Sequence, residues 1–170
     1  MARGDFKVKN QTGSDFSLKR NVPSGTAVSI NAGEPTKSVD AAAASPYLGT
    51  VAICVDGDGS TAQRFTGVSK DDSTDTAAAA GYVNTIMPLP GIIYSGKAKS
   101  TTAVDTVAEV EALIGKRVVF DLTGTAWTID TAAADAVANC VVIIGGDYRT
   151  FDVFWTYSPH GTFLDFAISA

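Results

Sequence analysis

His160 is the only histidine of the chain, and histidine is the side chain whose ordinary pKa best suits proton transfer near neutrality. It stands in Ser158-Pro159-His160-Gly161, where proline second and glycine fourth suit a type I turn. No serine–aspartate constellation is recognisable around it, so a turn residue is the preferred reading over a general base. Gly91-Ile92-Ile93-Tyr94-Ser95-Gly96-Lys97-Ala98 approaches the spacing of a phosphate loop, which needs exposed amides, a lysine and a hydroxyl for magnesium. Ala98 replaces that hydroxyl, and the Ile-Ile-Tyr interior suits a strand.

Asp56-Gly57-Asp58-Gly59-Ser60 offers three oxygens in the spacing that opens a calcium loop. The twelfth position, which should supply a bidentate glutamate, is Gly67, and Asp-Gly pairs already account for a hairpin turn. Asp71, Asp72 and Asp75 form a second acidic group, read as a solvated loop, with a cation or a partner's basic patch as competing uses. Cys54 and Cys140 lie in apolar runs without metal-ligand spacing and read as two buried thiols. No catalytic residue, metal or cofactor is expected, and the chain reads as a non-enzyme.

The elements that must carry these residues are mostly strands. Short apolar runs separated by Gly, Asp and Asn predict strands near 49–55, 62–68, 81–87, 91–98, 117–122, 126–130, 140–145, 151–157 and 162–168. Such spacing favours a compact β-sandwich or β-barrel. One short helix is expected at about 102–114, capped by Thr102 or Asp105, with Val107, Val110, Leu113 and Ile114 on one face and Gly115 as its stop. Residues 1–46 are rich in Gly, Pro, Ser, Thr and Asn and read as an extended N-terminal arm and connector. Within the arm, Phe6-Lys7-Val8 and Ala27-Val28-Ser29-Ile30 alternate enough to join a sheet edge. Residues 47–170 read as a single β-rich domain.

The 170 residues are 45% apolar and 18% charged, which suits a folded domain and excludes wholesale disorder. The net charge is −5, yet Arg3, Lys7, Lys9, Lys19, Arg20 and Lys37 outnumber the acids of the first forty residues. An acidic body disfavours nucleic-acid binding, and the arm's lysines are not interleaved with stacking aromatics. No apolar run is long enough to span a bilayer, and the N-terminus lacks the apolar core of a secretory signal. No membrane is expected, and synthesis is expected in a cytoplasm. Aromatic residues concentrate between Tyr148 and Phe166, where they can build a core or anchor a subunit interface.

Ile30-Asn31-Ala32-Gly33-Glu34-Pro35-Thr36-Lys37, Val55-Asp56-Gly57-Asp58-Gly59, Phe65-Thr66-Gly67-Val68 with the Asp-Ser-Thr loop after it, and Gly115-Lys116-Arg117-Val118-Val119-Phe120-Asp121-Leu122 resemble segments of the capsid decoration (cement) proteins of tailed bacteriophages. The resemblance implies a β-rich structural virion protein on the outer capsid surface, made in the host cytoplasm. It implies a homotrimer that holds neighbouring copies of the major capsid protein together, with no cofactor. On that reading Lys7, Lys9, Lys19 and Arg20 are the candidate capsid contacts, and Trp155 and Tyr157 the candidate subunit-interface anchors. The competing expectations are a phage tail or fibre component and a carbohydrate-binding β-sandwich module using Trp127 or the C-terminal aromatics.

Overall fold

The computed structural model describes residues 6–9, 17–24, 29–39, 50–59, 65–89 and 91–158. They form β1 (Lys7–Val8), β2 (Ser17–Val22), β3 (Pro35–Ser38), β4 (Val51–Ile53), β5 (Phe65–Ser69), β6 (Gly81–Ile86), β7 (Tyr94–Ala98), α1 (Val107–Leu113), β8 (Arg117–Thr123), β9 (Ala126–Asp130), β10 (Val141–Asp147) and β11 (Asp152–Tyr157). The protein is mainly β, as its alternating apolar runs predict. Each expected strand from 49 to 157 has a counterpart, whereas 162–168 lies outside the described residues.

Two sheets result, ordered β1-β7-β11-β10-β8-β9 and β2-β6-β5-β3-β4. Both curl until their ends meet. In the first, β7 runs parallel to β9, pairing Lys97 with Thr128 and Ala98 with Ile129. In the second, β2 meets the start of β4 through a parallel bridge, Asn21 to Thr50. Each set of five consecutive strands, β2–β6 and β7–β11, therefore closes a small barrel with the same connectivity: first to fifth, fifth to fourth, fourth to second, second to third, and third back to first in parallel.

The match extends to register. Thr36 opposes Gly67 as Val118 opposes Val141, and Ser69 opposes Thr85 as Ile143 opposes Trp155. Arg20 opposes Val83 as Gly96 opposes Val153. Before the second strand of each barrel stands a left-handed glycine, Gly33 at φ 85° and Gly115 at φ 87°, a conformation that glycine adopts without a Cβ penalty. The Gly33 N–H donates to Ser69 O at 2.8 Å and the Ser69 N–H to Glu34 O at 2.9 Å. Likewise the Gly115 N–H donates to Ile143 O at 2.7 Å and the Ile143 N–H to Lys116 O at 3.0 Å. One chain thus folds the same barrel twice.

The two interiors are built differently. In the β7–β11 barrel the inward row includes Val118, Ile129, Val141, Ile143, Val153 and Trp155, all at most 1% exposed. The residue just before β1, Phe6, adds a ring that fills the space above Gly96 so closely that a Cβ there would lie 2.4 Å from it. In the β2–β6 barrel the corresponding row holds Thr36, Val51, Ser69, Val83 and Thr85, with a smaller apolar cluster of Val22, Ile30, Val51 and Val83. That polar interior explains why residues 1–46 look like an arm: β2 turns Arg20 inward beside the small Val22, and β3 buries the Thr36 hydroxyl, so neither strand presents a row of large apolar groups. In the structure this segment supplies β1, β2 and β3, and β3 lies inside its sheet between β4 and β5.

The barrels share a core. Phe65, Val68 and Cys54 of the first pack with Phe120, Trp155 and Tyr94 of the second. The β4–β5 connection clamps the junction, with the Gly57 N–H donating to Phe120 O at 3.0 Å, the Phe120 N–H to Asp58 O at 2.7 Å and the Cys140 N–H to Gly59 O at 2.6 Å.

The helix is shorter than expected. A single 3-10 turn covers Thr101–Ala103, and α1 begins only after Thr106. Thr106, not Thr102 or Asp105, is the N-cap: its hydroxyl accepts from the Glu109 N–H at 3.3 Å, and the Glu109 carboxylate accepts from the Thr106 N–H at 3.0 Å. This reciprocal pair satisfies two otherwise orphaned donors. Val110 is buried and Leu113 packs on the core, whereas Val107 and Ile114 are 53% and 55% exposed. Two helical turns bury only the residues pointing at β10, and Ile114 has already left the helix in an extended conformation.

Candidate functional site

Among the described residues, the acidic groups that resembled metal sites are engaged in holding the fold. Asp58 is 2% exposed; its carboxylate accepts from the Val55 N–H at 2.6 Å and the Lys37 ammonium at 2.8 Å. Asp56 accepts from the Leu122 N–H across the barrel junction at 3.2 Å. Asp72 accepts from the Ala32 N–H at 2.8 Å, Asp71 from the Asn84 N–H at 2.9 Å, and Asp75 from the Ser73 hydroxyl. The acidic loop is therefore a latch across the β2–β6 barrel, although Asp72 remains exposed. Gly96 to Ala98, the end of the near phosphate loop, lies within strand β7. Cys54 and Cys140 are buried and not disulfide-bonded, and burial, reinforced by Asp58, pushes the Cys54 thiol well up. Among the described residues no group of three His, Cys, Asp or Glu side chains is arranged to hold a metal ion. His160 lies outside the described residues.

The remaining candidates are on the barrel walls, and strand alternation decides which are accessible. On β11, Val153 and Trp155 point inward, so Asp152, Phe154 and Thr156 point outward. On β7 the outward residues are Ser95 and Lys97, directly opposite Phe154 and Asp152. Lys97 pairs with Asp152 at 2.9 Å and donates to Thr150 O at 2.6 Å. Burial alone would raise the Asp152 carboxyl, but hydrogen bonds from Lys97 and Thr150 outweigh it and hold the group below the usual carboxylate range.

β1 lies against the far side of β7, with Lys7 opposite Ser95. It continues to Lys9, whose N–H donates to Ile93 O at 2.7 Å. The Lys9 ammonium sits 4.7 Å from the centre of the Phe154 ring, within the range of cation–π attraction. On the other barrel, the outward residues of β2 and β6 include Lys19, Asn21, Tyr82 and Asn84, with Asn21 opposite Tyr82 and Lys19 opposite Asn84. The Lys19 ammonium lies 3.6 Å from the centre of the Tyr82 ring, which is itself 40% exposed.

The candidate contacts consequently divide. Lys7, Lys9 and Lys19 are exposed. Arg20 is half-buried, on the inward row opposite the fully buried Val83, and its Nε is buried without a hydrogen-bond partner among the described residues. It is not presented beside Lys19, because neighbouring residues of a strand point to opposite faces.

Trp155 is corrected from a subunit-interface anchor to a core residue. It is 0% exposed, stacked on Tyr94 at 4.5 Å and edge-on to Phe6 at 5.4 Å, and has no surface to offer a second copy. Tyr157 is half-buried against Phe65 at 5.5 Å; burial, with a smaller effect from Cys140, pushes its hydroxyl up to about 12. Trp127 is also 0% exposed and is not a platform for a sugar ring.

Sequence reasoning missed Tyr82 and Phe154 as surface residues. The signal for Phe154 was present: it is out of phase with Val153 and Trp155, and so had to face away from the core. Comparisons with protein-family models, with curated proteins and with solved structures return no match for the chain.

Proposed function

We propose that the protein is a structural virion component that binds the outer surface of an assembled phage capsid and cements neighbouring major capsid subunits, acting as a homotrimer. The observation that carries this reading is the placement of its interaction chemistry. The β7–β11 interior is filled by large side chains, while exposed lysines lie over aromatic rings on the walls of both barrels. Such a molecule binds through its outside, by charge and flat contact, with a rigid body behind each lysine. A protein that binds only the assembled lattice stabilises it by mass action, by about 2.7 kcal/mol per site at a hundredfold excess over Kd.

The test is co-sedimentation with shells assembled from the major capsid protein of the same virus. Wild-type protein is expected to pellet with shells, and a triple charge reversal of Lys7, Lys9 and Lys19 to glutamate is expected to remain in the supernatant while still melting in one cooperative transition. Wild-type protein that stays in the supernatant overturns the reading. A trimeric mass by light scattering is expected at tens of micromolar protein, and a monomeric mass there overturns the constitutive trimer.

A further inference from the structure

The duplicated barrel carries chemically similar faces on the same outer wall of each copy, although the residues that build them do not correspond. Superimposing the registers makes β2 correspond to β7 and β6 to β11, so Asn84 matches Phe154 and Tyr82 matches Asp152. On the outer wall of the fifth strand, at positions two residues apart in the shared register and therefore on the same face, each barrel carries an aromatic ring with a lysine over it. In the first barrel Lys19 comes from the first strand of the barrel itself. In the second, the matching position is Ser95, and the lysine is supplied instead by Lys9, beyond the end of the added strand β1. The same arrangement is reached by two routes from different residues.

We infer that these two walls are two copies of one contact surface, and that a single chain uses both at once to hold two like acidic patches on a repeating protein lattice. This rests on the capsid reading above and adds to it the valence of each chain and the chemistry of its partner. Charge complementarity selects the occupant. Lys7, Lys9 and Lys19 are exposed, whereas the carboxylates on the same walls are engaged, Asp152 by Lys97 and Asp71 by Asn84. An ammonium over a ring retains N–H donors for a partner's carboxylate. A long polyanion is disfavoured because the chain as a whole carries −5 and repels it at a distance, whereas a protein patch needs only local complementarity.

The shared core makes the two walls parts of one body, so engaging the first places the second near its own site. Linking two weak contacts in this way raises overall affinity by about 10²- to 10⁴-fold when the geometry permits both.

The experiment measures binding of the full chain to assembled shells and, separately, to unassembled capsid subunits. Four proteins are compared: wild type, Lys19→Glu, the pair Lys7→Glu with Lys9→Glu, and all three reversals, with Lys→Gln versions as milder variants of the same exposed positions. On shells, reversing either wall alone is expected to weaken apparent affinity by about 10²-fold or more, and reversing both to abolish binding. On unassembled subunits, wild type is expected to bind weakly, and either single-wall variant to bind within about twofold of it, since one intact wall remains.

Two results overturn the inference while leaving the capsid reading standing: wild type binding unassembled subunits as tightly as shells, or one wall's reversal removing all binding while the other's changes nothing. Absence of wild-type binding to shells overturns the capsid reading itself and the inference with it. A single-stranded oligonucleotide bound by wild type and released on reversing both walls overturns the assignment of an acidic protein partner.

Discussion

At the scale of single residues, the decisive positions are those where geometry leaves no alternative. Trp155 touches Phe6, Tyr94, Phe65 and Phe120 and is 0% exposed, so Trp155→Ala is expected to cost about 3–5 kcal/mol in urea unfolding. Gly67 has φ 134° and a Cβ there would lie 2.1 Å from Ile86 O. Gly67→Ala is therefore expected to lower the melting temperature far more than Gly57→Ala, whose φ is also positive but which has nothing within 4 Å. Asp121 supplies a pH dependence. Burial would raise its carboxyl, but bonds from Lys99, Thr123 and Thr128 prevail and hold it below the usual range. A depressed folded pKa means that the stabilisation is complete above the unfolded value of about 3.9 and disappears as pH falls through the folded value. Stability measured from pH 6 downward is expected to decline across that acid window, and Asp121→Asn to flatten the decline. The Asp121 network was not legible from local sequence: Thr123 shares its strand, but Thr128 reaches it from β9 and Lys99 from just beyond β7.

At the scale of elements, legibility followed apolar alternation. Strands such as β8, β10 and β11 bury alternate large residues and could be read directly, and so could the Gly115 stop. β2 and β3, Ser-Leu-Lys-Arg-Asn-Val and Pro-Thr-Lys-Ser, could not, because their inward positions are Arg20 and Thr36. The helix start was misplaced for a related reason: several hydroxyl and carboxyl residues precede α1, and only the spacing from Thr106 to Glu109 completes a reciprocal cap. Thr106→Ala is accordingly expected to cost about 0.5–2 kcal/mol, read as a loss of thermal stability, and Thr102→Ala much less. Deletion of residues 1–40 removes β1, β2 and β3 with Phe6, Val22 and Ile30 from two cores. The truncated chain is expected to lose its cooperative melting transition and near-ultraviolet dichroism instead of remaining as a folded body, so binding tests must use point substitutions.

At the scale of the whole molecule, the duplication was invisible in the sequence because corresponding inward residues differ in kind: Ser69 and Ile143, Thr85 and Trp155, Arg20 and Gly96. The separation between corresponding residues also changes from strand to strand, since α1 and the acidic latch occupy different connections, so no fixed period survives. Topology survives because backbone pairing and the glycine before each second strand do not depend on those side chains. The two barrels are nonetheless not independent. β1, at the N-terminal end of the chain, completes the second barrel with Phe6, while Phe65 and Val68 of the first barrel lie in the second barrel's core. The smaller apolar cluster left to the first barrel, Val22, Ile30, Val51 and Val83, is too small to offset the ordering entropy of five strands by itself. The intact chain is therefore expected to melt in one calorimetric transition with equal calorimetric and van't Hoff enthalpies. Phe6→Ala, at the N-terminal end, and Phe65→Ala, in the first barrel, are each expected to lower that single transition without splitting it. Two resolved transitions in either variant would show that the barrels fold separately and that the junction is only an interface between them.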